Sequence, residues 1–137
     1  MAANVVGFGP QTATILLVDD DPALRSLIRA PLEECGYHVL EADSGEAATR
    51  IAEQAERIHL LLTELAMPAI SGPQLARDFR YRFPDLKVLY MSDHDLDDVL
   101  SQPQILEGAF GFIRKPFAPD ALAHWVHGIL QSKLEHL

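Results

Sequence analysis

The chain has 137 residues, 48% hydrophobic and 23% charged, with 20 Asp and Glu against 11 Lys and Arg for a net charge of -9. That describes a single globular domain able to bury its own core, and a charge of this sign speaks against direct nucleic-acid binding, which needs clustered cations. Cys35 is the single cysteine, so an internal disulfide is excluded, and with no membrane-length apolar run and no signal peptide the expected location is the cytoplasm.

Residues 1–13 carry Gly7, Gly9, Pro10 and a few polar residues and read as a flexible amino-terminal tail. Thr14 to Val18 is an apolar, partly β-branched run and predicts a buried strand. Asp21-Pro22 opens a helix, since Asp is a good N-cap and Pro suits the first helical position. Leu24, Leu27, Ile28 and Leu32 give it an apolar face, Pro31 predicts a kink on the exposed side, and Gly36 predicts the stop. A second strand covers Tyr37 to Ala42. Ser44 caps a helix with Ala47, Ala48, Ile51, Ala52 and Ala55 on one side, ending near Glu56. His59 to Thr63 is the third strand, and Ser71-Gly72-Pro73 opens a helix stopped by Pro84. Leu86 to Met91 is the fourth strand. A short helix follows from about Leu96 and is cut at Pro103. Ala109 to Ile113 is the fifth strand, and Pro119 starts the last helix, which carries the stripe Leu122, Val126, Ile129 and Leu130.

Five apolar strands alternating with helices predict an α/β fold, a doubly wound parallel sheet covered on both faces. Such sheets place function at the carboxyl ends of their strands. The polar residues that stand out fall at those ends: Asp19, Asp20 and Asp21 after strand one, Glu64 after strand three, Ser92 after strand four and Lys115 after strand five. An acidic pair on such a rim suits a hard divalent cation, because Mg²⁺ takes oxygen ligands. A fixed ammonium lets several acids share a small space without mutual repulsion raising their pKa values. Asp21 is the exception, read as a helix cap.

Asp19-Asp20, the segment Glu64-Leu65-Ala66-Met67-Pro68, Ser92 and Lys115-Pro116 together resemble the receiver domain of two-component response regulators, over Thr14 to Gln131. The resemblance implies a flavodoxin-like (βα)5 receiver fold, with the receiver over residues 14–132 and a carboxyl-terminal tail at 133–137. It implies an acidic pocket of Asp19 and Asp20, and phosphate coordination by Ser92 and Lys115. Phe112 matches the aromatic that moves inward when the phosphoryl group is bound, and the Lys-Pro peptide is often cis in the family. Mg²⁺, if bound, would be held by Asp20, Glu64 and the backbone of Ala66.

Glu64 departs from the family, which has an aspartate as phosphoryl acceptor at this position. One more C–C bond adds about 1.5 Å of reach, and a misplacement near 1 Å can cost on the order of 10²-fold in rate. The longer carboxylate reaches toward the place a phosphoryl group would take, where it can engage Lys115. Its one charge and two oxygens make it a partial mimic at best. The expected function is therefore a non-enzymatic receiver in two-component signalling, working through protein contacts and independently of phosphorylation, with Mg²⁺ binding weakened or absent. The alternatives are a conventional phosphoaccepting receiver that uses Glu64, and a Mg²⁺-dependent phosphate hydrolase.

Two smaller departures accompany it. Ala69 stands where receivers with a similar Met-Pro turn usually have Gly, which predicts a locally different loop backbone. Asp93-His94-Asp95 follows Ser92 where a small residue and an aromatic are commoner. The expected partner is a histidine kinase or another signalling protein. Trp125, beside the stripe of the last helix, is read either as a homodimer contact or as a ring lying flat over the edge of the core.

Overall fold

The computed structural model describes residues 13–93 and 108–131. The predicted short helix from Leu96 to Pro103, and His94 and Asp95, lie outside the described residues, as do residues 1–12 and 132–137 of the two tails. The described chain alternates strand and helix as β1 (Thr14–Val18), α1 (Pro22–Glu34), β2 (His38–Ala42), α2 (Gly45–Gln54), β3 (Leu60–Glu64), α3 (Gly72–Arg82), β4 (Lys87–Ser92), β5 (Gly111–Arg114) and α4 (Pro119–Gln131). The strands form one parallel sheet in the order β2-β1-β3-β4-β5. This is the flavodoxin-like doubly wound arrangement, and its strand order reverses between β1 and β3.

Side chains of β1 alternate between two separate cores, as the period of two in a strand requires. Ile15 and Leu17 pack with Ile28 and Leu32 of α1 and with Leu122, Val126 and Ile129 of α4. Leu16 and Val18 pack with Ala48 and Ala52 of α2 and with Leu75, Ala76 and Phe79 of α3. β1 and β3 are thus buried on both faces, and their polar ends are presented at a fixed rim.

The helix starts follow the predicted chemistry. Asp21, Ser44 and Ser71 are N-caps whose side chains accept from backbone N–H groups one turn on, and Ser71 forms a reciprocal capping box with Gln74. α1 stops at Gly36, which has φ +96°. The Gly36 N–H donates to Glu33 and the Tyr37 N–H to Leu32, the paired bonds of a Schellman stop.

One expectation for α1 changes. The helix runs through Pro31 for three more residues, as predicted, and the carbonyl that proline deprives of a partner belongs to Leu27 on the solvent side. Leu27 is 58% exposed, so the inward face consists of Ile28 and Leu32, with Leu24 half-buried. β3 and β4 each begin and end one residue later than predicted, which makes Glu64 and Ser92 the last residues of their strands.

Candidate functional site

Lys115 gathers the rim. Its Nζ donates to Asp19 Oδ2 at 2.7 Å and to Glu64 Oε1 in a very short contact. The lysine comes from the loop after β5, where its backbone N–H donates to the Ser92 carbonyl at 2.8 Å and the Lys115–Pro116 peptide is cis. Burial alone would lower the Lys115 pKa. The hydrogen bonds from its ammonium to Asp19 and Glu64 outweigh that, and the net direction is upward.

Asp19 is fully buried and its second oxygen, Oδ1, accepts the Asp21 N–H at 2.9 Å. The Asp19 carbonyl accepts from Arg25 Nη1 at 2.5 Å, and Arg25 Nε also pairs with Glu41 Oε1 at 2.8 Å. Arg29 closes the other side of Glu41 at 2.6 Å. These two arginines were not singled out from the sequence. The signal was present, since Arg25 and Arg29 lie four residues apart on one helical face opposite a glutamate of the neighbouring strand.

Glu64 pairs with Met91 of β4 in register, and only 14% of its side chain is exposed. Asp20, by contrast, is exposed and Ala66 is exposed. Ser92 is 4% exposed and stands opposite Arg114 in the β4–β5 register. Phe112 is half-buried and stacked on Tyr90, ring centroids 5.5 Å apart at 23°. Burial pushes the Tyr90 phenol up to about 12, so it stays neutral beside that ring. The structure therefore brings Asp19, Glu64 and Lys115 together, holds Ser92 through its backbone to Lys115, and leaves Asp20 facing solvent.

In the loop after β3, Ala69 takes a backbone conformation that favours glycine. This alanine has φ +67°, and the Ile70 N–H donates across it to the Pro68 carbonyl at 2.7 Å. A γ-turn of positive φ is thus formed by a residue with a Cβ. Ile70 packs over Gly45 so closely that a Cβ there would lie 2.6 Å from Ile70 Cβ. Trp125 lies over the core edge: a Cβ on Gly111 of β5 would approach its ring to 2.7 Å, and the side chain remains 37% exposed.

The oxygen donors suited to Mg²⁺ are present in kind. Both oxygens of Asp19 are engaged, Glu64 Oε1 is held by Lys115, and Asp20 is exposed. Among the described residues no three His, Cys, Asp or Glu side chains are grouped to hold a metal. Nor is any described helix long and apolar enough to cross a membrane.

A parallel sheet of this order, with an acid–lysine cluster on its carboxyl rim, defines a receiver-type signalling module, and the chain belongs to the response regulator receiver domain family, whose model matches residues 15–127. Receiver domains are signalling modules of two-component systems and typically bind Mg²⁺ at the acceptor site. The chain is similar to the sensor kinase CckA of Brucella abortus, 33% identical over 123 residues that cover 89% of this chain and 13% of that protein. It is 32% identical over 121 residues to the transcriptional regulatory protein GlrR of Escherichia coli, covering 88% of this chain and 27% of that one. Among solved structures, a response regulator receiver domain protein from Clostridium thermocellum superposes with a TM-score of 0.76 at 30% identity, covering 91% of this chain and 99% of that one. The chain thus spans well under two thirds of the length of these two curated relatives.

Proposed function

We propose that this receiver signals through protein contact without being phosphorylated, Glu64 standing in the acceptor position. The observation that carries the reading is the ion pair between Glu64 and Lys115. In the family the lysine pairs with the acceptor carboxylate and then with the phosphoryl group. Here the longer glutamate reaches the ammonium directly, so the lysine already has an anion where the phosphoryl group would lie. A carboxylate nucleophile must be positioned in line, and transfer depends mainly on that positioning. A glutamate held against Lys115 is displaced from it.

The same pair bears on the cation. Mg²⁺ would compete with a fixed ammonium for the Glu64 oxygen, so its binding through Asp20, Glu64 and the Ala66 carbonyl is weak. The module is not an enzyme in this reading and works in the cytoplasm. Its partner is a histidine kinase or another signalling protein, and the exposed edge of Trp125 offers a contact for a second copy. Ser92 and Phe112 keep the positions of a phosphate-coordinating hydroxyl and a switch aromatic without the phosphoryl group that would move them.

Intact-protein mass after incubation with a small acyl phosphate and Mg²⁺ tests this directly. Glu64→Asp is expected to gain a phosphoryl group and the natural chain none. The second reading, a phosphoaccepting receiver that uses Glu64, draws on the likeness to GlrR, a transcriptional regulatory protein. It prevails if the natural chain is modified and Lys115→Ala abolishes the modification.

A further inference from the structure

We propose that the open edge of β2, with the groove between β2 and α2, takes up an extended acidic peptide segment of a partner protein. This surface lies away from the Lys115 cluster and does not depend on how Glu64 is used.

The backbone supplies the first argument. β2 is the outermost strand on its side of the sheet. The His38 N–H donates to the Ala13 carbonyl at 3.0 Å and the Asp19 N–H donates to the Ala42 carbonyl at 3.1 Å. The main chain of the even-numbered residues of β2 therefore faces β1, and that of Val39 and Glu41 faces outward, where no described strand pairs with it. An edge of this kind is a template for one more strand, in which main-chain hydrogen bonds give affinity and pockets for alternate side chains give specificity.

The groove supplies the second. It has a volume of about 750 Å³ and runs beside β2, with Leu40, Ile51 and Ala55 forming an apolar lining. That volume lies within the range of roughly 300–1,000 Å³ usual for ligand sites. Side chains on alternate positions of an added strand would enter it next to Leu40.

Charge selects the occupant. Arg50, Arg57 and His38 line the groove against the single carboxylate of Glu56. Among the described residues no ion pair or hydrogen bond engages Arg50. On a chain of net charge -9, an acidic segment is repelled by most of the surface and drawn to this part of it. Residues 1–12 contain no Asp or Glu, so the chain's own amino-terminal segment lacks the chemistry the groove selects.

Randomised peptides displayed on phage and selected against the full chain provide the test. Enriched peptides are expected to alternate apolar residues with Asp or Glu. Bound peptide should slow hydrogen exchange at the Val39 and Glu41 amides at least tenfold, and Arg50→Glu, checked for folding by circular dichroism, should weaken binding about tenfold. N-methylating alternate peptide bonds of the peptide should abolish binding. The proposal fails if no peptide is enriched, if basic or uncharged peptides dominate, or if Arg50→Glu binds equally well. It also fails if the two amides are already slow in the free chain, whether from self-association seen by sedimentation or from residues 1–12, seen as loss of that protection on deleting them.

Discussion

Asp19 and Glu64 end neighbouring parallel strands and reach the same ammonium, yet the turns that carry them are built on different physics. Between β1 and α1 polar groups answer one another locally: Asp19 Oδ1 takes the Asp21 N–H, the Asp21 side chain takes the Ala23 and Leu24 N–H groups, and Arg25 donates to the Asp19 carbonyl. Between β3 and α3 the shape is held by backbone hydrogen bonds and close packing, with no charged side chain answering the turn's own backbone among the described residues. The Leu65 N–H donates to Met91, the Gly72 N–H donates back to Leu65, and Ala69 sits at positive φ between them. The first turn depends on charge and hydrogen bonding and the second on steric fit, so different substitutions should break them.

The largest effect should come from the tie that joins them. Lys115→Met leaves Asp19 fully buried with one oxygen unanswered, and losing one partner of a buried ion pair costs about 3–5 kcal/mol. Because the Lys115 side chain is itself 21% exposed, the expected loss is about 2–3 kcal/mol, read from urea unfolding. Its pH dependence has a definite sign. The folded pKa of Lys115 is raised above the ordinary 10.5, so the contribution is fully present below 10.5 and disappears as pH rises through the folded value. The gap between natural chain and variant should therefore be constant near neutrality and close at strongly alkaline pH. An unchanged unfolding midpoint in Lys115→Met would show that the two turns are held independently.

Gly72→Ala addresses the packed turn alone. A Cβ there would lie 2.6 Å from the Glu64 carbonyl oxygen, 3.1 Å from the Tyr90 ring and 3.2 Å from Thr63. The nearest atom is backbone and cannot rotate away, so about 2 kcal/mol of destabilisation is expected, within the range for overpacking. Asp19 should be unaffected, and the hydrogen-exchange rate of the Asp21 amide bonded to it is the check: a rate that rises as much as that of the Leu65 amide would contradict the separation of the two turns.

Much of this architecture was legible because each element carried a local cause. Asp21, Ser44 and Ser71 announce helix starts by their own capping chemistry, and Gly36 announces a stop because its left-handed φ suits no other residue as well. The rim was legible because a parallel sheet puts strand ends together whatever the loops do. What stayed hidden depended on packing between distant segments. Leu27 fits the helical period of α1 but lies where no described element covers it, and periodicity alone cannot tell which edge of a stripe is left over. Asp19 and Asp20 are the same residue type side by side, and only the assembled rim, where Lys115 and the Asp21 N–H meet Asp19, buries the first while the second stays exposed. Nothing in the sequence near Trp125 shows that its ring lies against Gly111 of β5 while part of it stays exposed.

Ala69 gives the smallest effect and the finest test of the contrast. Ala69 stands where receivers with a similar turn usually have glycine, and it holds a φ of +67°, so an alanine bears the strain. A non-glycine residue in the left-handed region costs roughly 1–2 kcal/mol. Glycine would return part of that gain by enlarging the entropy of the unfolded chain, by about 0.4–1 kcal/mol. Ala69→Gly is therefore expected to stabilise the fold by about 0.5 kcal/mol, a rise of roughly two degrees in Tm for a domain of this size. The sign matters more than the size. A gain means that packing by Ile70 over Gly45 and the Leu65–Gly72 bond dictate the turn and impose the strain on Ala69. A loss would mean that the alanine methyl makes contacts worth more than the strain, and that the turn is shaped by its side chain after all.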